Sequence, residues 1–275
     1  MSETTNTDAD KALKAKHRTM WALGDYPTLA SDLISELGTT IVEACAIGDG
    51  QRVLDIAAGS GNAAIPAAQA GANVVATDLT PELLQVGKRR AVELGVELDW
   101  QQADAEDLPF ADGEFDAVIS TVGIMFAPHH EASASEMLRV CRTDGTIGLI
   151  NWTPEGFIGQ MFATMKPYAA PPPPGATPPP RWGDEEHVRS LLGDRVTEFT
   201  ATRKTLPVTK FGSGEEFCSY FKTHYGPTIA AYRNIADDPE RVAALDRDLA
   251  DLARRFDKGS GDLEWEYLLV TARKA

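Results

Sequence analysis

The sequence predicts an α/β protein built on a doubly wound, mostly parallel sheet of seven strands. Two observations carry that expectation. Between residues 52 and 152, short apolar runs alternate with helical stretches. Such alternation implies right-handed crossovers and a parallel sheet covered on both faces. Within that region, residues 53–64 (VLDIAAGSGNAA) have the form of a strand, a Gly-rich turn and the opening of a helix. A turn of this kind offers free N–H groups and a partial positive charge to an anionic ligand.

Taken in order, residues 1–8 read as disordered, and residues 10–23 and 27–46 as helices, the second with Pro27 in its first turn. Strands are expected at 52–56, 73–77 (ending at Asp78), 97–102, 115–120 and 146–152, with helices at 62–70, 81–94 and 130–142. After Trp152 the rhythm breaks. A short helix at 155–166 precedes seven prolines between Ala169 and Pro180, which exclude a helix or a central strand there. A helix at 184–192, a strand at 196–208, helices at 214–234 and 239–256 and a strand at 264–272 complete the chain. No clean linker divides it. The expectation is a single domain, 1–275, made of a helical cap (1–50), a ligand-binding core (51–152) and a C-terminal part (153–275) holding an insertion, lid elements and the final strands. The amphipathic helices at 214–256 pack on the core or form a dimer surface, so a monomer and a homodimer both remain open.

The length of 275 residues suits one large α/β domain. With 26 basic and 41 acidic residues the net charge is −15, which argues against a nucleic-acid partner. Cys45, Cys141 and Cys218 are far apart and lack metal-ligand spacing. Free thiols in the cytoplasm, with no metal, are the expectation. The N-terminus has no apolar signal core, and no run of 18 apolar residues exists, so no membrane span is expected.

The spacing Gly59-x-Gly61-x-x-Ala64 fits either a pyrophosphate or a free carboxylate. Asp55, just upstream, opposes a pyrophosphate and tolerates a ligand that also bears an ammonium. It could equally brace the loop as a hydrogen-bond acceptor. Asp78 ends the second strand, where a carboxylate can take both hydroxyls of a ribose, or serve only to open the next helix. Asp104 ends the third strand, where it could accept a hydrogen bond from an adenine amine.

The ordered set VLDIAAGSGN, VVATDLTPELL, ADAEDLPFADGEFDAVIST and MLRVCRTDGTIGLINW resembles the class I S-adenosylmethionine-dependent methyltransferases. It is most similar to the branch of ubiquinone/menaquinone-type and small-molecule enzymes. The likeness spans residues 52–152 plus the final strand. It implies a Rossmann-like sheet whose last strand is antiparallel at the sheet edge. It also implies S-adenosyl-L-methionine as cofactor. Residues 57–61, with Ala57, Gly59 and Gly61, would hold the methionyl part and Asp78 the ribose. Leu79 would pack on the adenine, Asp104 and the backbone of Ala105 would read its edge, and Thr121 would approach the methionyl amine. Tyr26 resembles a tyrosine that reaches the cofactor carboxylate. The family usually has glycine where Ala57 stands, so different backbone angles are expected there.

The implied activity is methyl transfer to a small-molecule acceptor. It proceeds by in-line displacement and is catalysed mainly by alignment. An NAD-dependent oxidoreductase and a non-catalytic adenosyl-binding protein are the rivals from other classes. Aromatic residues outside the core, Trp21, Phe126, Trp152 and Phe157, are expected to line the acceptor pocket, and residues 171–180 to border its entrance. His129 and His130 follow the fourth strand and are the candidate general bases.

Overall fold

A computed structural model describes residues 8–172, 175–259 and 261–275. Three helices open the chain: α1 (Asp8–Trp21), α2 (Tyr26–Leu33) and α3 (Ser35–Ala44). The alternating part follows as β1 (Arg52–Ile56), α4 (Ala64–Gln69), β2 (Asn73–Asp78), α5 (Pro81–Glu93), β3 (Asp99–Gln102), β4 (Phe115–Thr121), α6 (His130–Val140) and β5 (Cys141–Trp152). Then come α7 (Phe157–Met165), α8 (Glu185–Leu192), β6 (Val196–Val208), α9 (Gly214–His224), α10 (Gly226–Asn234), α11 (Pro239–Phe256) and β7 (Leu263–Lys274).

The seven strands form one sheet in the order β3-β2-β1-β4-β5-β7-β6. β1 to β5 pair in parallel, and β7 is antiparallel to both β5 and β6. The central strands are continuous apolar runs: Val53, Leu54 and Ile56, then Ala117 to Ile119, then Ile147, Leu149 and Ile150, all with no exposed surface. Helices cover both faces, so apolar residues fill successive positions rather than every second one, with Asp55 buried among them in β1.

Four details differ from the sequence reading. β7 does not lie at the sheet edge. β6 pairs along it from Val196↔Lys274 to Val208↔Leu263 and takes the outer place itself. The helix expected over 27–46 breaks at Ile34, whose carbonyl accepts a hydrogen bond from Asn62 Nδ2 (2.9 Å) and so ties α2 to the Gly-rich turn. The helix expected over 214–234 breaks at Tyr225, because Pro227 in the first turn of α10 starts a new helix. The disorder expected for 1–8 falls outside the described residues except at Asp8, which already opens α1. Among the described residues no helix is long and apolar enough to cross a membrane.

Candidate active site

The turn after β1 is held from three sides. The Ala58 N–H donates to the Thr77 carbonyl (2.8 Å). The Gly59 N–H donates to Asp78 Oδ2 (2.9 Å), and the Thr80 N–H to Asp78 Oδ1 (2.8 Å). The Asp78 carboxyl is thus fixed at the end of β2. Burial pushes its pKa above the usual carboxylate range, against the pull of those backbone N–H groups.

The backbone is left-handed at Ala57 (φ 55°), Gly59 (φ 57°) and Gly61 (φ 87°). Ala57 therefore adopts an angle that favours glycine. Gly123, in the loop after β4, compensates: a Cβ there would lie 2.3 Å from the Ala57 carbonyl oxygen and 2.8 Å from its methyl. Gly61 is needed for another reason, since a Cβ there would meet the Trp100 ring at 2.6 Å. Ser120 pins the loop that carries Gly123. Its Oγ donates to the Ile56 carbonyl (2.7 Å) and accepts from the Ile124 N–H (2.9 Å).

These elements surround a cavity of about 80 Å³ at the carboxyl ends of β1, β2 and β4, the place where ligands bind in such sheets. Its wall includes Trp21, Tyr26, Ala57, Gly59, Asp78, Leu79, Asp104, Ala105 and Phe126, nine of the residues singled out from sequence. α1 closes it from above with Lys14, His17 and Trp21, which lie on one helical face. The Lys14 ammonium bonds Asp104 Oδ2 (2.6 Å), Asp10 Oδ2 (2.9 Å) and Glu106 Oε2 (2.9 Å). Burial works against its charge, but the three carboxylates outweigh burial and hold it charged.

A smaller cavity of about 20 Å³ adjoins the first and shares Tyr26, Val122 and Phe126 with it. Trp152, Phe221, Tyr225 and Trp265 supply its aromatic walls, and Leu29, Ile34 and Ile158 its aliphatic ones. Trp21 stands at the junction, with ring centroids 5.3 Å from Tyr26, 4.6 Å from Phe126 and 5.8 Å from Tyr225.

Several expected site residues lie elsewhere. Asp55 sits beneath the turn in β1, 1% exposed, with the Ala64 N–H at the start of α4 directed at its carboxyl. Burial pushes its pKa up to about 8 against the pull of the Ala64 N–H, with the Asp78 carboxylate adding to the rise, so at neutral pH it is largely a neutral acid rather than a counter-charge. Thr121 ends β4 with no hydrogen-bond partner for its Oγ1 among the described residues and is not on the wall, which the next residues, Val122 and Gly123, form instead. Gly61 packs away from the cavity against Trp100. Phe157 is fully buried, stacked on Trp265 (5.8 Å, 11°), and backs the smaller cavity rather than lining it. Of residues 171–180, those described line neither cavity, although the Thr177 N–H bonds the Pro128 carbonyl (3.0 Å) close by.

Neither expected histidine faces the cavity. His129 donates its N–H to Glu106 Oε1 (2.7 Å), and its Nε2 lies 3.3 Å from Asp10 Oδ1. His130 is 2% exposed, with Nδ1 2.9 Å from His187 Nε2. Burial, and then the neighbouring His187, lower its pKa from 6.5 to about 3. The adjacency of the two histidines in sequence was misleading, because the first turn of α6 points them into α1 and α8 contacts. The histidine on the wall is His17. The i, i+3, i+7 spacing of Lys14, His17 and Trp21 was the sequence signal for it. Sequence reasoning also missed the cluster of Asp10, Glu106 and His129, whose ligand atoms lie within 4.8 Å of one another. The Lys14 ammonium bonds both of its carboxylates.

Residues 54–149 match the family described as a methyltransferase domain. Two uncharacterised proteins of Mycobacterium tuberculosis (strain H37Rv) are each 50% identical over 274 residues, covering 100% of both chains. A demethylmenaquinone methyltransferase of Renibacterium salmoninarum is 42% identical over 107 residues, 39% of this chain and 44% of that one. In fold, the chain is similar to the YcgJ protein of Bacillus subtilis, with TM-score 0.57, 18% identity and coverage of 86% and 97%. It is likewise similar to a geranyl diphosphate methyltransferase in complex with SAM, with TM-score 0.54, 18% identity and coverage of 88% and 85%. Residues 54–149 thus carry a methyltransferase domain, set on a seven-stranded Rossmann-like sheet.

Proposed function

We propose that this chain transfers a methyl group from S-adenosyl-L-methionine to a small-molecule acceptor in the cytoplasm. The observation that carries the reading is the Asp78 carboxylate. It is clamped by the Gly59 and Thr80 N–H groups and set on the wall of a cavity whose floor is a left-handed turn. The donor set fits the cofactor. Asp78 retains lone pairs for a ribose diol. A Cβ on Gly59 would have only Tyr26 Cε1 near it, at 3.5 Å, so the bare backbone leaves room for the methionyl chain beneath the tyrosine ring. Leu79 and Ala105 offer apolar walls to the adenine, and Asp104 an acceptor for its amine.

When bound, the cofactor supplies a methyl group already activated on a sulfonium. This chain's own residues need only hold the acceptor in line and exclude water, and positioning of that kind is worth about 7–11 kcal/mol. The junction of the two cavities at Tyr26, Val122 and Phe126 is where the two reactants would meet. The N-terminal helices would cap the site, and the chain would act as one domain. Calorimetric titration with S-adenosylhomocysteine and, separately, with NADH tests the reading. Binding of the first alone is expected; binding of NADH alone would establish the dinucleotide reading instead.

A further inference from the structure

We propose that Lys14 latches α1 as a lid over the cofactor site, and that the latch closes on Asp104, the carboxylate assigned to the adenine amine. This inference rests on the methyl-transfer reading above and adds how that same site opens and what it selects.

The size of the cavity calls for a moving wall. At about 80 Å³ it is several times smaller than the roughly 300–1,000 Å³ of small-molecule sites. A ligand made of a nucleoside and an amino acid enters only if one wall gives way. The turns after β1, β3 and β4 are tied back into the sheet. The Ala58 N–H donates to the Thr77 carbonyl (2.8 Å), the Ala103 N–H to the Asp78 carbonyl (3.1 Å) and the Val122 N–H to the Ile150 carbonyl (2.7 Å). α1 is held more loosely. None of its described residues is buried, and elements with few buried contacts are the ones that open locally. Its half-buried face carries Lys14, His17 and Trp21 to the cavity wall, so its position decides whether the site is complete.

The two ends of α1 are fastened in different ways. The C-terminal end is wedged against the start of α10. A Cβ on Gly226 would lie 2.3 Å from the Met20 carbonyl oxygen, and the Trp21 ring stands edge-on to Tyr225 at 5.8 Å. Just beyond, Gly24 takes φ 70° and the Asp25 N–H donates to the His224 carbonyl (3.2 Å). This end is the pivot. The N-terminal half is held by charge. The Lys14 ammonium reaches Asp104 Oδ2 (2.6 Å) and Glu106 Oε2 (2.9 Å), both outside the helix, and Asp10 Oδ2 (2.9 Å) within it. Arg18 and Glu82 add a pair at 3.4 Å, but both side chains are half-exposed and such a pair contributes little.

The Lys14 side chain is 12% exposed and that of Glu106 4%. Taking one charge out of such a cluster leaves its partners buried and unpaired, the most damaging way to break an ion pair. Without Lys14 the carboxylates of Asp10, Asp104 and Glu106 face one another, and their repulsion drives α1 outward. The latch also sets the adenine reader. An ammonium has three protons, and three carboxylates take them, so Lys14 has no N–H left for a carbonyl on the ligand. Asp104 accepts from Lys14 at Oδ2 and from the Glu106 N–H at Oδ1 (2.9 Å). Those two bonds fix its plane, and each oxygen keeps a lone pair for an amine. The latched site therefore takes an amino-purine and rejects an oxo-purine.

Stopped-flow fluorescence of the full chain tests the latch, with Trp21 on the lid as reporter and two ligands, S-adenosylhomocysteine and its deaminated analogue S-inosylhomocysteine. In the wild-type chain the observed rate of S-adenosylhomocysteine binding should level off at high concentration, at the rate of lid opening. Lys14→Met should raise that plateau about tenfold and speed release by at least as much. Lys14→Arg, which keeps the charge, should bring both rates back to within about threefold of wild type. A side chain with a merely structural role would speed release and leave entry alone. Wild type should prefer S-adenosylhomocysteine to S-inosylhomocysteine by about tenfold or more, and Lys14→Met should lose much of that preference. Equal entry rates in wild type and Lys14→Met overturn the latch. Equal affinity of wild type for the two ligands overturns Asp104 as the adenine reader it closes on. Should Lys14→Met not fold, Glu106→Gln, which removes one charge of the latch, should raise the plateau about threefold, and no rise there overturns the latch as well. A wild-type chain that binds no S-adenosylhomocysteine overturns the methyl-transfer reading itself, whereas binding with unaltered rates in the variants overturns the latch alone.

Discussion

The two halves of the sheet build two unlike cavities. On the β1–β4 side the wall is made by strand ends, tight turns and α1, and it sets two carboxylates, Asp78 and Asp104, and the Lys14 ammonium among apolar side chains. On the β5–β7 side it is made by side chains from elements far apart in sequence: Tyr26, Trp152, Phe221, Tyr225 and Trp265. The first region spends its sequence on angles and hydrogen bonds, and the second on packed aromatic surface.

The sharpest break of that contrast is Phe157→Ala. Phe157 is fully buried, stacked on Trp265 and edge-on to Phe217 (5.0 Å) and Phe256 (5.4 Å). Its loss should cost about 3–5 kcal/mol of stability, read by urea denaturation. The protein that remains folded should bind S-adenosylhomocysteine normally, because Phe157 does not line the larger cavity and its ring partners are Phe217, Phe256 and Trp265. Weakened binding in that fraction would mean the two halves are not separable.

Asp78→Ala is the mirror experiment. It should weaken S-adenosylhomocysteine by about 1.5–3 kcal/mol for each charge-assisted hydrogen bond lost and release the Gly59 and Thr80 N–H groups. Unchanged affinity in calorimetry would sink the ribose assignment.

A smaller effect, confined to acid, comes from His130 on the underside of α6. Its folded pKa of about 3 lies below the ordinary 6.5. The unfolded chain therefore binds a proton between those values and the folded chain does not. The stability this group contributes is present above pH 6.5 and is lost as pH falls toward about 3. His130→Phe should flatten the dependence of melting temperature on pH across that window. An unchanged slope would show that His130 is protonated in the folded state.

The smallest effect is expected at Ala57. Left-handed φ in a non-glycine residue costs roughly 1–2 kcal/mol, and glycine loses part of that gain through its freer unfolded chain. Ala57→Gly should stabilise by less than about 1 kcal/mol. Gly123→Ala, whose Cβ would meet the Ala57 carbonyl at 2.3 Å, should destabilise by more than that. Equal and small changes at both positions would show that the loop shifts freely.

The β1–β4 half was legible because its signals are local. Asp78 follows its own strand, Gly59 its own turn, and Leu79 and Ala105 sit beside the residues that announce them. Thr121 was placed one or two residues short because Val122 takes φ 53°, a turn no composition signals. Phe157 and Trp152 were read as one pocket pair, yet only Trp152 reaches the cavity, since the start of α7 turns Phe157 beneath Trp265. Trp265 and Tyr225 were invisible as pocket residues. They lie 113 and 73 positions from Trp152, and only the pairing of β7 beside β5 brings the first of them there.

By itself the sequence determined the alternation of strands and helices, the order of the turns and the carboxylates at their ends. Apolar periodicity and glycine spacing act within a few residues, so they can be read one segment at a time. Tertiary structure alone decided that β7 lies inside the sheet, that His17 and not His129 or His130 reaches the wall, and that Asp55 is a buried acid. Those outcomes depend on which distant surfaces pack together and exclude water, a property of the whole fold that no single segment encodes.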